Sequence, residues 1–111
     1  MSSPYLYSFS DIETKQIAPG YHSKLIHTAS NTFNFIDVDA GSTVPLHSHP
    51  HEQCAFVLEG EFELTIDGAP QLLTPGVFAV IPSNVQHGGR AITNCRLLDI
   101  FTPVREDYRN L

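Results

Sequence analysis

From residue 24 onward, apolar and polar positions fall into short runs broken by turn residues. The runs cover residues 24–28, 32–38, 53–59, 61–66, 77–81 and 95–101. Between them stand Asp39-Ala40-Gly41, Asp67-Gly68, Thr74-Pro75-Gly76 and Pro82-Ser83-Asn84. Asp-Gly between two β runs signals a tight hairpin. Many short strands at regular spacing predict an all-β barrel or sandwich. A helical period is absent except for one predicted turn at 105–110. Residues 1–22, with Pro4, Pro19 and Gly20, read as an N-terminal arm or edge strand, and residues 23–111 as one domain. The chain of 111 residues fits a single domain with a modest core.

Two runs break the usual alternation. Gln53-Cys-Ala-Phe-Val-Leu58 and Leu97-Leu-Asp-Ile-Phe101 are apolar on both faces. A strand with one wet face carries polar residues there. The outer face is therefore covered, either by the arm or by a second copy of the chain. We expect a homodimer, with Phe56, Leu58, Leu98 and Ile100 at its interface and residues 1–22 crossing to the partner.

Charge narrows the partners. Six Lys plus Arg stand against twelve Asp plus Glu, a formal net charge of −6. Such a surface repels phosphate backbones, which argues against nucleic-acid binding. The apolar runs are too short to span a membrane as helices. The opening MSSPYLYSFSDIE has neither the basic region nor the apolar stretch of a secretory signal. Cys54 and Cys95, far apart in sequence, read as two free thiols of a reducing, cytoplasmic compartment, with a disulfide between them the less favoured alternative.

The chemistry starts at the histidines. Six occur in the chain, three of them between positions 47 and 51. In an extended chain, residues two apart share a face, so His47 and His49 present both imidazoles to one side. Gln53 has the same parity; His51 shares it too, but Pro50 disturbs the alternation there. Imidazole is a ligand for Fe, Ni, Cu, Zn and Mn. A lone His-x-His is equally compatible with exposed loop histidines. His87 follows the turn at Pro82-Ser83-Asn84, where Asn84 suits a left-handed backbone.

Together these segments resemble the two signature motifs of the cupin superfamily. The first is glycine, five residues, His-x-His, three or four residues, an acid, six residues, glycine. Here it runs from Gly41 to Gly60 with every spacing kept and Gln53 in the place of the acid. The second is glycine, five residues, Pro-x-Gly, two residues, His, three residues, Asn. Here it is Gly76, Pro82 and His87, with Asn84 for the glycine and Ala91 for the Asn. The 15 residues between Gly60 and Gly76 match the spacer of small single-domain cupins. The resemblance implies a double-stranded β-helix, or jelly-roll barrel. It also implies one divalent transition metal ion (Ni, Fe, Mn or Zn) on His47, His49, Gln53 and His87, with His51 outside. An amide in place of glutamate leaves the charge of the ion undiminished, which favours an anionic ligand.

The tail narrows the resemblance. Leu98-Asp-Ile-Phe-Thr-Pro-Val-Arg-Glu-Asp-Tyr108 is similar to the tail of the cupins of pectin and alginate breakdown. Those enzymes convert 4,5-unsaturated monouronates to linear keto-deoxyuronates. By that resemblance Asp99 is the general acid/base, Arg105 clamps a substrate carboxylate in bidentate fashion, and Phe101 packs on the sugar ring. Asp99 is unusual in its own right, a carboxylate inside an apolar strand with the inward parity of Leu97 and Phe101. A buried acid needs a partner, and the structural alternative is an ion pair with Arg90 or Arg105. Two other functions fit the histidines: a metal-dependent dioxygenase, and a non-catalytic sugar- or metal-binding module.

Overall fold

The computed structural model describes residues 3–111, so the first two residues of the expected arm lie outside the described residues. Ten strands run β1 (Lys15–Ala18), β2 (Tyr21–His27), β3 (Thr32–Val38), β4 (Thr43–His47), β5 (Glu52–Glu59), β6 (Phe62–Ile66), β7 (Ala69–Leu73), β8 (Phe78–Ile81), β9 (His87–Ala91) and β10 (Cys95–Thr102). A one-turn helix, α1 (Glu106–Arg109), follows. They form a six-stranded antiparallel sheet, β1-β2-β3-β10-β5-β8, facing a four-stranded one, β4-β9-β6-β7. The fold is the expected jelly-roll.

The alternating runs become the central strands. On β3, Ile36 and Val38 point inward while Phe33, Phe35 and Asp37 point outward. Inward residues Ile36, Val57, Leu64, Leu73, Ile81 and Leu97 are all at most 6 % exposed and make one core between the sheets. Truncating one of them, as in Leu97→Ala, costs about 2–5 kcal/mol through lost burial and the cavity left behind. Asp67 and Gly68 both have positive φ, at 48° and 80°, and close the two-residue β6–β7 hairpin that their sequence predicts. Asn84, at φ 65°, takes the left-handed turn position where the motif has glycine.

Four strands have no counterpart among the runs read from the pattern. Three of them, β1, β4 and β7, lie at sheet edges. Edges tolerate proline, and Pro45 and Pro70 hide two of these strands. The fourth, β9, reads His-Gly-Gly-Arg-Ala and has almost no apolar signal. Its glycines are there for space: a Cβ on Gly89 would meet the Phe62 ring at 2.3 Å, and one on Gly88 the Val44 carbonyl oxygen at 2.8 Å.

The boundary expected between arm and domain at residues 22 and 23 cuts strand β2. Tyr21 is 2 % exposed, its hydroxyl donates to the Ser42 carbonyl at 3.1 Å, and Ile17 packs on the core. Residues 15–22 therefore belong to the barrel. Ahead of them, a 3₁₀ turn at Phe9–Asp11 sets the Phe9 ring edge-on against Phe35, on the outer face of β3. Tyr5, Leu6 and Tyr7 beyond it are at least 75 % exposed.

Candidate metal centre

His47 ends β4 and His87 begins β9, and the two are direct partners across that ladder. Their ring centroids are 4.4 Å apart. His49 lies two residues on, in the bend leading to β5, and Gln53 enters from β5 itself. One nitrogen from each of His47, His49 and His87 lies within 4.8 Å of the others. The Gln53 side-chain oxygen, Oε1, is 3.1 Å from Nε2 of both His49 and His87. All four residues proposed from sequence thus converge. His51 stays outside the cluster.

Backbone carbonyls fix the imidazoles. Nδ1 of His47 is 2.8 Å from the Pro45 oxygen, Nδ1 of His49 is 3.0 Å from the His51 oxygen, and Nδ1 of His87 is 2.9 Å from the Val85 oxygen. A carbonyl only accepts, so each Nδ1 carries the proton, and an imidazole in its neutral form then keeps its lone pair on Nε2. Burial, assisted by the positive charge of Arg105, holds His49 and His87 below the ordinary histidine range, so they stay neutral. At Gln53 the amide nitrogen goes to the Asp99 carboxyl, leaving Oε1 toward the rings. Acceptors therefore face acceptors with no hydrogen between them. Such a set repels itself unless a cation sits at its centre, and three imidazoles plus one amide oxygen suit a divalent transition metal. The hydrogen bond on the far nitrogen of each ring is the usual support of a metal-bound histidine.

The cavity beside the cluster measures about 660 Å³ out to its open mouth. Its floor is apolar, with Ile36, Val57, Leu64 and Leu97. Asp99 lines its wall, as its parity predicts. Burial raises the Asp99 carboxyl to about 7, against the pull of the Gln53 hydrogen bond and the Arg105 charge. The structural ion pair considered for Asp99 is not formed among the described residues. Arg90 reaches Glu63 at 3.9 Å, and Arg105 binds Asp107.

Arg105 and Phe101 line the same cavity, each with a role of its own in the packing. Nε and Nη2 of Arg105 donate to the two Asp107 carboxylate oxygens at 3.0 and 2.7 Å. That edge of the guanidinium is taken, and only the remaining Nη edge is open to a ligand. The guanidinium carbon lies 3.8 Å from the Tyr108 ring centroid and 4.8 Å from that of Phe101. Phe101 itself is 2 % exposed and packs edge-on against His49 and Tyr108. Its surface serves His49 and Arg105 more than a passing ligand.

Three residues of the site escape the sequence reading. Asp107 and Tyr108 flank Arg105 from α1, a turn too short to carry a periodic signal. Asn34 lines the cavity from β3, and its only sequence signal is a polar residue on the inward face of an otherwise apolar strand.

Comparison with known proteins agrees with this geometry. The chain is 31 % identical over 106 residues to the pectin degradation protein KdgF of Dickeya dadantii (strain 3937), covering 90 % of this chain and 96 % of that one. It is 30 % identical over 91 residues to L-ectoine synthase of Nocardia farcinica (strain IFM 10152), covering 77 % and 70 %. The solved structure of KdgF from Halomonas sp. superposes with a TM-score of 0.86 at 27 % identity, covering 96 % of this chain and 99 % of that one. The Cupin domain family matches residues 34–101, from the middle of β3 to Phe101, and with the three-histidine cluster inside that span the chain belongs to the cupin family.

Proposed function

We propose that this chain is a metal-dependent enzyme that opens the ring of a 4,5-unsaturated monouronate, of pectin or alginate origin, to the linear keto-deoxyuronate. The observation that carries the reading is Asp99: a carboxyl with a pKa of about 7, set in the cavity wall and hydrogen-bonded to a residue of the histidine cluster. The likeness to a pectin degradation protein over 90 % of the chain supports the substrate class.

One divalent transition metal ion, held by His47, His49, His87 and Gln53, would supply Lewis acidity toward the oxygens of an anionic sugar acid. Asp99 is matched to proton transfer near neutral pH, since it is neither fully ionised nor fully protonated there. Its carboxylate takes the anomeric hydroxyl proton as the bond from C1 to the ring oxygen breaks, which leaves an aldehyde and an enolate. The carboxylic acid so formed returns that proton to C4, and the enolate becomes the ketone. Substrate and product are isomers, so no oxidant or reductant enters. Arg105 presents its free Nη edge to the substrate carboxylate, with Asp107 and Tyr108 holding the guanidinium in place. Phe101 backs His49 and Arg105. The apolar floor keeps water from the reacting atoms.

Two copies of the chain pair, in the same reading, through the outer face of the larger sheet. Cross-strand pairing there lines up Phe35, Leu98, Phe56 and Phe78 in one row, with Phe33, Ile100, Cys54 and Val80 beside it. Residues 3–8 reach across to the partner.

The test is direct. Metal-loaded protein is mixed with lyase-generated unsaturated monouronate, and the absorbance of the C4=C5 bond is followed. Loss of absorbance at an enzymatic rate is expected. A folded, metal-loaded protein that leaves the absorbance unchanged ends the reading.

A further inference from the structure

Asn34 of β3 is the direct cross-strand partner of Asp99 on β10, and both line the cavity. Asn34 is 1 % exposed, and its side-chain oxygen has no hydrogen-bond partner among the described residues. Its inward neighbour on the strand behaves otherwise: the Thr32 hydroxyl accepts from the Arg105 backbone N–H at 2.9 Å and contacts Nδ1 of His27 at 2.9 Å. The row on which Asn34 sits reads Leu25, Asn34, Asp99, Ala55; Leu25 offers no polar group, and Asp99, the polar neighbour, makes no hydrogen bond to the Asn34 oxygen. A buried amide oxygen without a partner destabilises a fold, and a leucine of similar size fills the space without that penalty. An amide kept at such a cost has a partner that arrives from outside.

The chemistry of that partner follows from the amide. A carboxamide both donates and accepts, as a hydroxyl does. A carboxylate is better served by the Arg105 guanidinium. We propose that Asn34 holds a ring hydroxyl of the substrate on the Asp99 side of the cavity, and so helps select a polyhydroxylated sugar acid. The proposal rests on the uronate reading above.

The experiment compares wild type, Asn34→Leu and Asn34→Ala, all metal-loaded, on the unsaturated monouronate, with Tm and metal content measured in parallel. In Asn34→Leu, KM should rise about 10- to 100-fold with kcat changed far less, because a hydroxyl buried without its partner is rejected. Its Tm should hold or rise, and its metal content should not change. Asn34→Ala admits water that bonds the hydroxyl in place of the amide, so its KM should rise less. A structural role gives the opposite pattern, a lower Tm with KM unchanged, and overturns the proposal. A fall in kcat without a rise in KM also overturns it, since Asn34 would then act on Asp99 rather than on substrate. A wild type that never consumes the uronate removes both readings together. A wild type that consumes it beside an Asn34→Leu of equal KM removes this one alone.

Discussion

Gln53 and Asp99 share a hydrogen bond that ties the histidine cluster to the carboxyl on the cavity wall. The Gln53 oxygen serves the imidazoles, and its nitrogen serves Asp99. Gln53→Glu changes both ends. A carboxylate among the imidazoles adds one negative charge and should tighten divalent metal binding by about 10-fold or more. The same charge removes the donor to Asp99 and opposes an anionic substrate. KM for the uronate should rise, and the acid/base limb assigned to Asp99 should move to higher pH. Metal titration and a pH–rate profile check the two halves separately; unchanged turnover would contradict the charge argument.

Metal should stabilise the fold through the same four residues. At a free concentration of 100 times Kd, a ligand that binds only the folded state adds about 2.7 kcal/mol. For a domain of this size that is roughly 10 °C in Tm. Differential scanning fluorimetry with Ni, Fe, Mn or Zn salts, and with a chelator, reads the shift. It should vanish in His49→Ala and His87→Ala and persist in His51→Ala, whose ring lies outside the cluster.

Asp99 also sets a pH dependence of stability. Burial lifts its pKa in the folded protein from 3.8 to about 7. A raised pKa means that the folded state holds the proton more tightly, so the stabilisation is complete below pH 4 and is lost as pH climbs to 7. His49 and His87 are lowered by burial and act in the opposite sense, losing stability as pH falls below their ordinary range. The trends overlap, so the informative quantity is Tm of wild type minus Tm of Asp99→Asn, both metal-free. That difference should fall by roughly 5 °C or more between pH 4 and pH 7 and then level off. Turnover of the metal-loaded variant should drop about 10²–10⁴-fold. Full activity in Asp99→Asn would return Asp99 to a structural role.

Assembly can be read by light scattering. Wild type should run as a dimer at micromolar concentration, and Phe56→Glu combined with Leu98→Glu should give a monomer of 12.3 kDa. Serine at Tyr5, Leu6 and Tyr7 tests the crossing of the arm: the dimer should weaken while the barrel keeps its Tm. A monomeric wild type would leave the outer rows without the proposed cover.

Central strands were legible in the sequence because burial imposes alternation, and β3 matches its expected bounds, residues 32–38. The edge strands β4 and β7 were hidden by proline, and β9 by glycines that make room for Phe62 and for the β4 backbone. At the site, motif spacing brought out the histidines, Gln53, Asp99 and Arg105. It gave no hint that Asp107 holds the Arg105 fork, since a pairing two residues apart at a helix start leaves no periodic trace. Nor did it place Asn34 beside Asp99, because that neighbour arises from the pairing of β3 with β10, which brings together residues 65 apart in sequence.

The carbonyls of Pro45, His51 and Val85 aim the imidazoles, and they belong to the main chain. Every amino acid at those positions brings the same oxygen. The cluster therefore keeps its aim while the surrounding side chains drift, and the cavity can be refitted to a new substrate without rebuilding the metal centre. A barrel of this kind separates what it holds from what it acts on, and selection or design can alter the second while leaving the first in place.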